Sequence, residues 1–319
     1  MNPLPIALVL SSAILHALYN LMARRGRSEA AFFHRMLVWV AVIGIIPAVV
    51  AEWQIGPFPG RVYLAAAASG GACGLYYLFL TAAYESSDFT VVYPVARSLP
   101  VLLVGLADTA LGRYPTAAGW GGMLLVVVGC LFTPLTSLRD IGPRHHLNLT
   151  TLWMLFAAVG TAIYSMVDKA ASDAVQAGPV SAARYCYLFF VTSLCAYSVL
   201  LRTFRRRAWA VACNGLPFAG SWPGFDDLPP HGPAHQSPAR MGWAMPLSAA
   251  VANFFAYWLV LWAYQLSQNA SYVVAFRQFG IVVGVVLAFW WYRERGVAVR
   301  LAASAVITAG LLLIALWGR

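Results

Sequence analysis

The chain has 319 residues, 61% of them hydrophobic and 10% charged, with a formal net charge of +10. Soluble domains carry about 25% charged residues, so this composition excludes a soluble globular protein. The basic residues mostly flank apolar runs, as they do in the loops of membrane proteins, which argues against a nucleic-acid partner.

The opening stretch, MNPLPIALVLSSAILHALYNLMARRGR, lacks the basic start of a signal peptide, and its basic cluster follows the apolar run; it reads as a retained first span. In chain order the apolar runs fall at 4–23, 31–51, 62–84, 90–112, 117–136, 151–171, 180–201, 244–266, 271–292 and 298–317. Each is near the twenty or so helical residues that cross a hydrocarbon core of about 30 Å. The expected fold class is therefore an all-α integral membrane protein with ten transmembrane helices. Most connections are short. The exception, 202–243, opens with RTFRRR and is rich in Pro and Gly, the composition of an irregular loop. The five cysteines are scattered, with no CxxC pair and no metal spacing, so neither a disulfide framework nor a metal site is expected.

The two halves of the chain resemble each other. AYESSDFTVVYPVARS (83–98) aligns without a gap on AYQLSQNASYVVAFRQ (263–278), pairing Arg97 with Arg277, and the same register pairs Tyr77 with Tyr257 and Arg113 with Arg293. HALYNLMAR (16–24) matches TAIYSMVDK (161–169), and Arg35 falls opposite Arg184. Three matches in one order point to a duplicated five-span unit, 1–140 and 141–319. Because five is odd, the second copy must enter the membrane from the opposite side, giving two inverted repeats around a central cavity. That is an architecture of secondary transporters, whose sites lie near the midplane.

Arg97 lies about seven residues, or about 10 Å, into the fourth span, and Arg277 is equally deep from the other face. Two buried cations would thus bracket the bilayer centre. A guanidinium facing lipid costs a few kcal/mol at least, so both should face partners or a wet cavity.

The runs SSAILHALYNLMARR, VVYPVARSLPVLLVGLADTALGR and VVGVVLAFWWYRERGVAVRLAASAVITAGLLLIAL, in this order and duplicated, resemble the EamA-type ten-span members of the drug/metabolite transporter superfamily. The resemblance implies a metabolite transporter, often an exporter, working by alternating access in a cell membrane, here a bacterial inner membrane. It names no substrate.

Among candidate site residues, Arg97 and Arg277 would hold an anionic group, since guanidinium pairs with carboxylate or phosphate; the alternative is a structural ion pair or snorkelling. Pro94 and Pro100 each remove a backbone donor, so a kinked or broken fourth helix is expected, lining the cavity or merely packing. His16, Tyr19 and Asn20 share one face of the first span. His16 is a candidate for proton coupling, as is Asp108, while Asn20 suits interhelical hydrogen bonding. Tyr77, Tyr93 and Tyr257 are aromatic cavity candidates. Asp168 precedes Lys169, which suggests a local ion pair or an interfacial position. The His residues at 145, 146, 231 and 235 read as solvated loop.

No nucleotide-binding or catalytic fingerprint stands in a suitable context, so no enzyme activity and no cofactor are expected, and transport would be ion-coupled or passive. The leading reading is a secondary transporter of a small polar metabolite, anionic or zwitterionic, acting as monomer or homodimer in the lipid bilayer. The rivals are a cationic drug exporter, which needs an embedded carboxylate, an enzyme acting on lipid headgroups, and a non-transporting scaffold. Loops after spans one, five, seven and nine hold most of the arginines, which by the positive-inside rule puts both termini outside; the family resemblance implies cytoplasmic termini instead.

Overall fold

The computed structural model describes residues 3–23, 29–86, 89–133, 149–205, 243–292 and 297–318. Along its helices, the side chains of 19–23, 29, 84–86, 89–97, 149–150, 288–292 and 297 lie outside that description. So do nearly all of the expected loop at 202–243 and its two His residues, together with His145 and His146.

All described regular structure is helical: α1 (Pro3–Ala23), α2 (Glu29–Ile55), α3 (Gly60–Ser86), α4 (Phe89–Ala110), α5 (Ala117–Phe132), α6 (Leu149–Asp173), α7 (Pro179–Phe204), α8 (Ala244–Leu266), α9 (Ala270–Arg277), α10 (Phe279–Tyr292) and α11 (Val297–Trp317). Seven described stretches are long and apolar enough to cross a membrane: Ala30–Ile55, Gly60–Ala83, Thr151–Asp173, Pro179–Phe204, Ala244–Leu266, Ala270–Leu287 and Ala298–Trp317. Pro3–Leu18, Ser98–Ala110 and Ala117–Phe132 are shorter apolar helices. Leu, Ile, Val and Trp side chains stay exposed along α2 and α11, as expected of helices facing hydrocarbon rather than water.

The first five helices pack mainly against the second half of the chain rather than among themselves. α3 lies against α6 and α7, α1 against α8, α5 against α11, and α4 against α6 as well as α5. The core is therefore built at contacts between the two halves of the chain. In lipid no hydrophobic force draws helices together, so close backbone approach at small residues carries much of the packing. At the α5–α11 contact a Cβ added to Gly122 would sit 2.6 Å from the Gly310 carbonyl, and one added to Gly310 would sit 2.6 Å from the Gly122 carbonyl. The two helices touch backbone to backbone, and only glycine allows it.

One sequence expectation is corrected here. α4 runs as continuous α-helix through Pro94 and Pro100, so of the kink or break expected at these prolines the break is absent. A proline removes one hydrogen bond, and within a membrane bundle neighbouring helices and local adjustment satisfy the freed carbonyl. The interruption falls in the ninth expected span instead, at Gln278, where no proline stands. There the backbone N–H of Gln278 bonds Ala275 O and that of Ile281 bonds Gln278 O, a tightened turn. The Gln278 side chain donates from Nε2 to Val274 O at 3.0 Å, satisfying the carbonyl that the turn releases. Gly280 follows at a point where a Cβ would lie 3.0 Å from Ala13 O, which lets α1 press against the interrupted helix.

Charged residues cluster at one end of the bundle. Asp173 accepts from Arg113 Nη2 at 3.0 Å and from Lys169, and Lys169 Nζ also donates to Tyr264 O at 3.0 Å. Asp108, fully buried, accepts from the Ser271 N–H at 2.8 Å in the first turn of α9 and lies 3.9 Å from Arg113. Asn269 donates to Arg113 O at 2.8 Å. These contacts tie α4 to α6, α8 and α9.

Two further arginines stack on aromatic rings, Arg35 of α2 on one just before α8 and Arg184 of α7 on one just before α3. The Arg35 guanidinium lies 5.0 Å from the centre of the Trp243 ring, and that of Arg184 lies 4.1 Å from the centre of Phe58.

Candidate functional site

Arg277 is the last residue of α9, immediately before the turn at Gln278, and only 5% of it is exposed. Its guanidinium stands 5.5 Å from the centre of the Tyr257 ring in α8. Tyr164 of α6 and Tyr264 of α8 are its other electrostatic neighbours. Tyr164 is within hydrogen-bonding reach of the guanidinium, while Nε and Nη1 are buried and have no hydrogen-bond partner among the described residues. A buried guanidinium is costly, and its attraction to the π-faces of aromatic rings offsets only part of that cost. Unfilled donors on a buried cation mark the place where an acceptor of opposite charge would be held most strongly.

Beside this cation lies a carboxylate. Asp168 of α6 is fully buried and accepts three hydrogen bonds: from Ser69 Oγ of α3 at 2.5 Å and Tyr185 OH of α7 at 2.8 Å, both on Oδ1, and from Tyr257 OH on Oδ2. No described cation lies within ion-pair distance of it; Arg277 acts on it from further away. The sequence reading of Asp168 as the ion-pair partner of Lys169 is overturned, because Lys169 pairs with Asp173, one turn along. Consecutive residues of a helix do not share a face, so Asp168 points into the bundle while Lys169 points to its charged end.

Tyr257 joins the two charges, with its hydroxyl on Asp168 and its ring beneath Arg277. It is held there by Phe189, stacked at 4.5 Å between ring centres, by Phe190 at 5.9 Å and by Tyr164 at 6.2 Å. The rings extend through Tyr164 to Tyr76 at 5.9 Å and on to Tyr77 at 5.2 Å.

The other candidates fall in different places. Tyr77 is buried among Phe33, Tyr76 and Tyr197, an aromatic layer behind the charged centre. His16 is buried in α1, which packs against α9 and α10. Asp108 anchors the start of α9, away from the tyrosines around Arg277. The side chains of Tyr19, Asn20, Tyr93, Pro94 and Arg97 lie outside the described residues. Sequence reasoning missed Ser69 and Tyr185 altogether. A usable signal for Asp168 was Tyr164, four residues earlier and therefore on the same helical face.

Residues 3–134 match the EamA-like transporter family. That family belongs to the drug/metabolite transporter superfamily. Over those residues the chain is similar to that transporter family, and its apolar helices are those of a membrane protein. One solved structure, described only as a crystal structure of a protein, superimposes with a TM-score of 0.68 at 14% identity, covering 100% of this chain and 99% of its own. That similarity concerns the fold alone. No curated protein matches the chain.

Proposed function

We propose that the protein is a secondary active transporter, an exporter as the family resemblance implies, of a small polar metabolite that carries an anionic group. The metabolite would be an anion or a zwitterion, moved by alternating access. The observation that carries this reading is Arg277: a buried cation at a helix interruption, with two nitrogens unfilled and tyrosines around it. Carboxylate or phosphate supplies the missing acceptors, and the tyrosines supply hydroxyls and ring faces for the remainder of a small polar molecule.

On this reading the three shorter apolar helices cross the membrane as well, completing ten spans, and the two halves are inverted repeats. Packing supports this. Exchanging the halves turns the α3–α6 contact into α8–α1, α3–α7 into α8–α2, and α4–α6 into the contact of α9 and α10 with α1, all of which occur. The two arginine–aromatic stacks, Arg35 on Trp243 and Arg184 on Phe58, are related in the same way. Rocking of one set against the other would expose the centre to each side in turn.

A second reading, a cationic drug exporter, gains from Asp168, the embedded carboxylate such a protein needs. Three hydroxyl donors already occupy it, however, and Arg277 beside it repels a cation. Counterflow in proteoliposomes loaded separately with dicarboxylates, neutral amino acids or tetraphenylphosphonium distinguishes the two. Exchange of dicarboxylates or amino acids supports the proposal, and exchange of the phosphonium alone overturns it.

A further inference from the structure

We propose that Asp168 is the proton-coupling group of this transporter, and that Tyr257 carries its protonation state to Arg277, so that proton and anion bind cooperatively and travel together. The inference rests on the transport reading above and adds the ion that travels with the substrate.

The argument begins with the hydrogen bonds. As a carboxylate, Asp168 can only accept, and its three donors reach it from α3, α7 and α8, elements of both halves. Ser69 and Tyr185 share Oδ1, and Tyr257 alone serves Oδ2. A proton arriving from the aqueous side forms a new O–H bond at Oδ2, and the carboxyl group goes from charge −1 to neutral. Two hydrogens cannot point at each other, so the Tyr257 hydroxyl turns from donor to acceptor and its own hydrogen is released to bond elsewhere. That hydroxyl belongs to the ring beneath Arg277. Protonation therefore does two things at the Arg277 site. It removes the nearby negative charge that opposes an anion, and it frees a hydroxyl donor on the ring over which the cation lies.

The surroundings leave Asp168 as the group that titrates. From α3 it faces Cys73, from α7 Tyr185 and Cys186, from α8 Tyr257 and Tyr264, from α9 Arg277, and on its own helix Tyr164. Among these groups Asp168 is the one carboxyl, the side chain that a proton converts from anion to neutral acid. Asp108 of α4 and Arg113 beyond its end face Lys169 and Asp173 at the charged end instead.

Cooperative binding has a definite consequence. The substrate moves in the direction of the proton, so a pH difference drives accumulation on the alkaline side. Export through such a site would run on the outward gradient of the substrate itself, with the proton leaving beside it.

The test uses the full chain in proteoliposomes with an alkaline lumen, with dicarboxylates and neutral amino acids as probes. Two quantities are read: gradient-driven accumulation and counterflow. For the wild type, accumulation should exceed equilibration. For Asp168→Asn the ratio of accumulation to counterflow should fall at least about tenfold, a ratio that is independent of how much protein folds. Tyr257→Phe keeps the ring and loses the hydroxyl, and should lower the same ratio. Infrared difference spectra between acid and alkaline pH supply a readout without substrate. The wild type and Tyr257→Phe should show a protonated-carboxyl band that Asp168→Asn lacks. An unchanged ratio in Asp168→Asn, or an identical carboxyl band in wild type and Asp168→Asn, overturns the inference. Absence of counterflow for every probe in the wild type overturns the transport reading instead, and with the carboxyl band still assigned to Asp168 the two failures are told apart.

Discussion

Gly122→Ala and Gly121→Ala are one residue apart on α5, and their comparison tests the helix packing on which everything else rests. In both, replacing glycine by alanine in a helix interior favours folding by about 1 kcal/mol through propensity alone. They differ in what the new Cβ meets. At 121 the nearest atom is Leu313 Cδ2 at 3.5 Å, an ordinary contact. At 122 the Cβ would lie 2.6 Å from Gly310 O and 2.6 Å from Ile314 Cγ1. A carbon and a carbonyl oxygen settle at about 3.3 Å or more, so α5 and α11 must separate by about 0.7 Å. The carbonyl belongs to a helix and has no rotamer by which to withdraw. Overpacking of this kind costs about 1–3 kcal/mol, so the two variants should differ by that amount, with Gly122→Ala the less stable. Apparent melting temperatures in detergent, taken at one scan rate because membrane proteins often unfold irreversibly, should place Gly122→Ala several degrees below Gly121→Ala. Equal melting temperatures, or the reverse order, would refute the backbone contact between α5 and α11.

Two other substitutions probe the ends of the bundle. Arg184 donates from Nη2 to Gly56 O at 2.5 Å and pairs with Glu52 at 2.9 Å while stacking on Phe58, so Arg184→Lys keeps the charge but loses the planar fork and should lower stability by about 1–2 kcal/mol, read as a lower melting temperature. Thr116 caps α5 by accepting from the Gly119 N–H at 3.0 Å and donates to Trp317 O at 3.0 Å. Thr116→Ala should cost about 1 kcal/mol, while Thr116→Ser, which keeps both bonds, should restore most of it in the same assay.

Much of the helical layout was legible in the sequence, because apolar runs of membrane-span length leave little choice of secondary structure. The register between the halves also singled out Arg277 and Tyr257 as candidates, and the structure places the one over the ring of the other. What the sequence concealed has physical reasons. The expected break at Pro94 and Pro100 relied on the rule that proline interrupts helices, which a packed bundle weakens, while the actual interruption uses the Gln278 side chain and no proline. Asp168 was misassigned because proximity in sequence to Lys169 was read as proximity in space. On a helix the partner of Lys169 is four residues on, at Asp173, and the partners of Asp168 come from α3, α7 and α8. No local pattern announces a carboxylate satisfied by three distant hydroxyls. The backbone contact of Gly122 with Gly310 was likewise invisible, since each glycine alone reads as an ordinary small residue in a membrane helix.

The central claim is that Arg277 holds the anionic group of a transported molecule, and it is tested most directly by counterflow of dicarboxylates and neutral amino acids through wild type, Arg277→Lys and Arg277→Gln in proteoliposomes. All three proteins should first be shown to elute as folded protein in detergent. The account predicts exchange in the wild type, weaker exchange with a raised KM in Arg277→Lys, where a point charge replaces the planar guanidinium, and none in Arg277→Gln. Undiminished exchange of the same probes by Arg277→Gln would contradict it, and would make the buried guanidinium a structural cation whose open nitrogens serve no substrate.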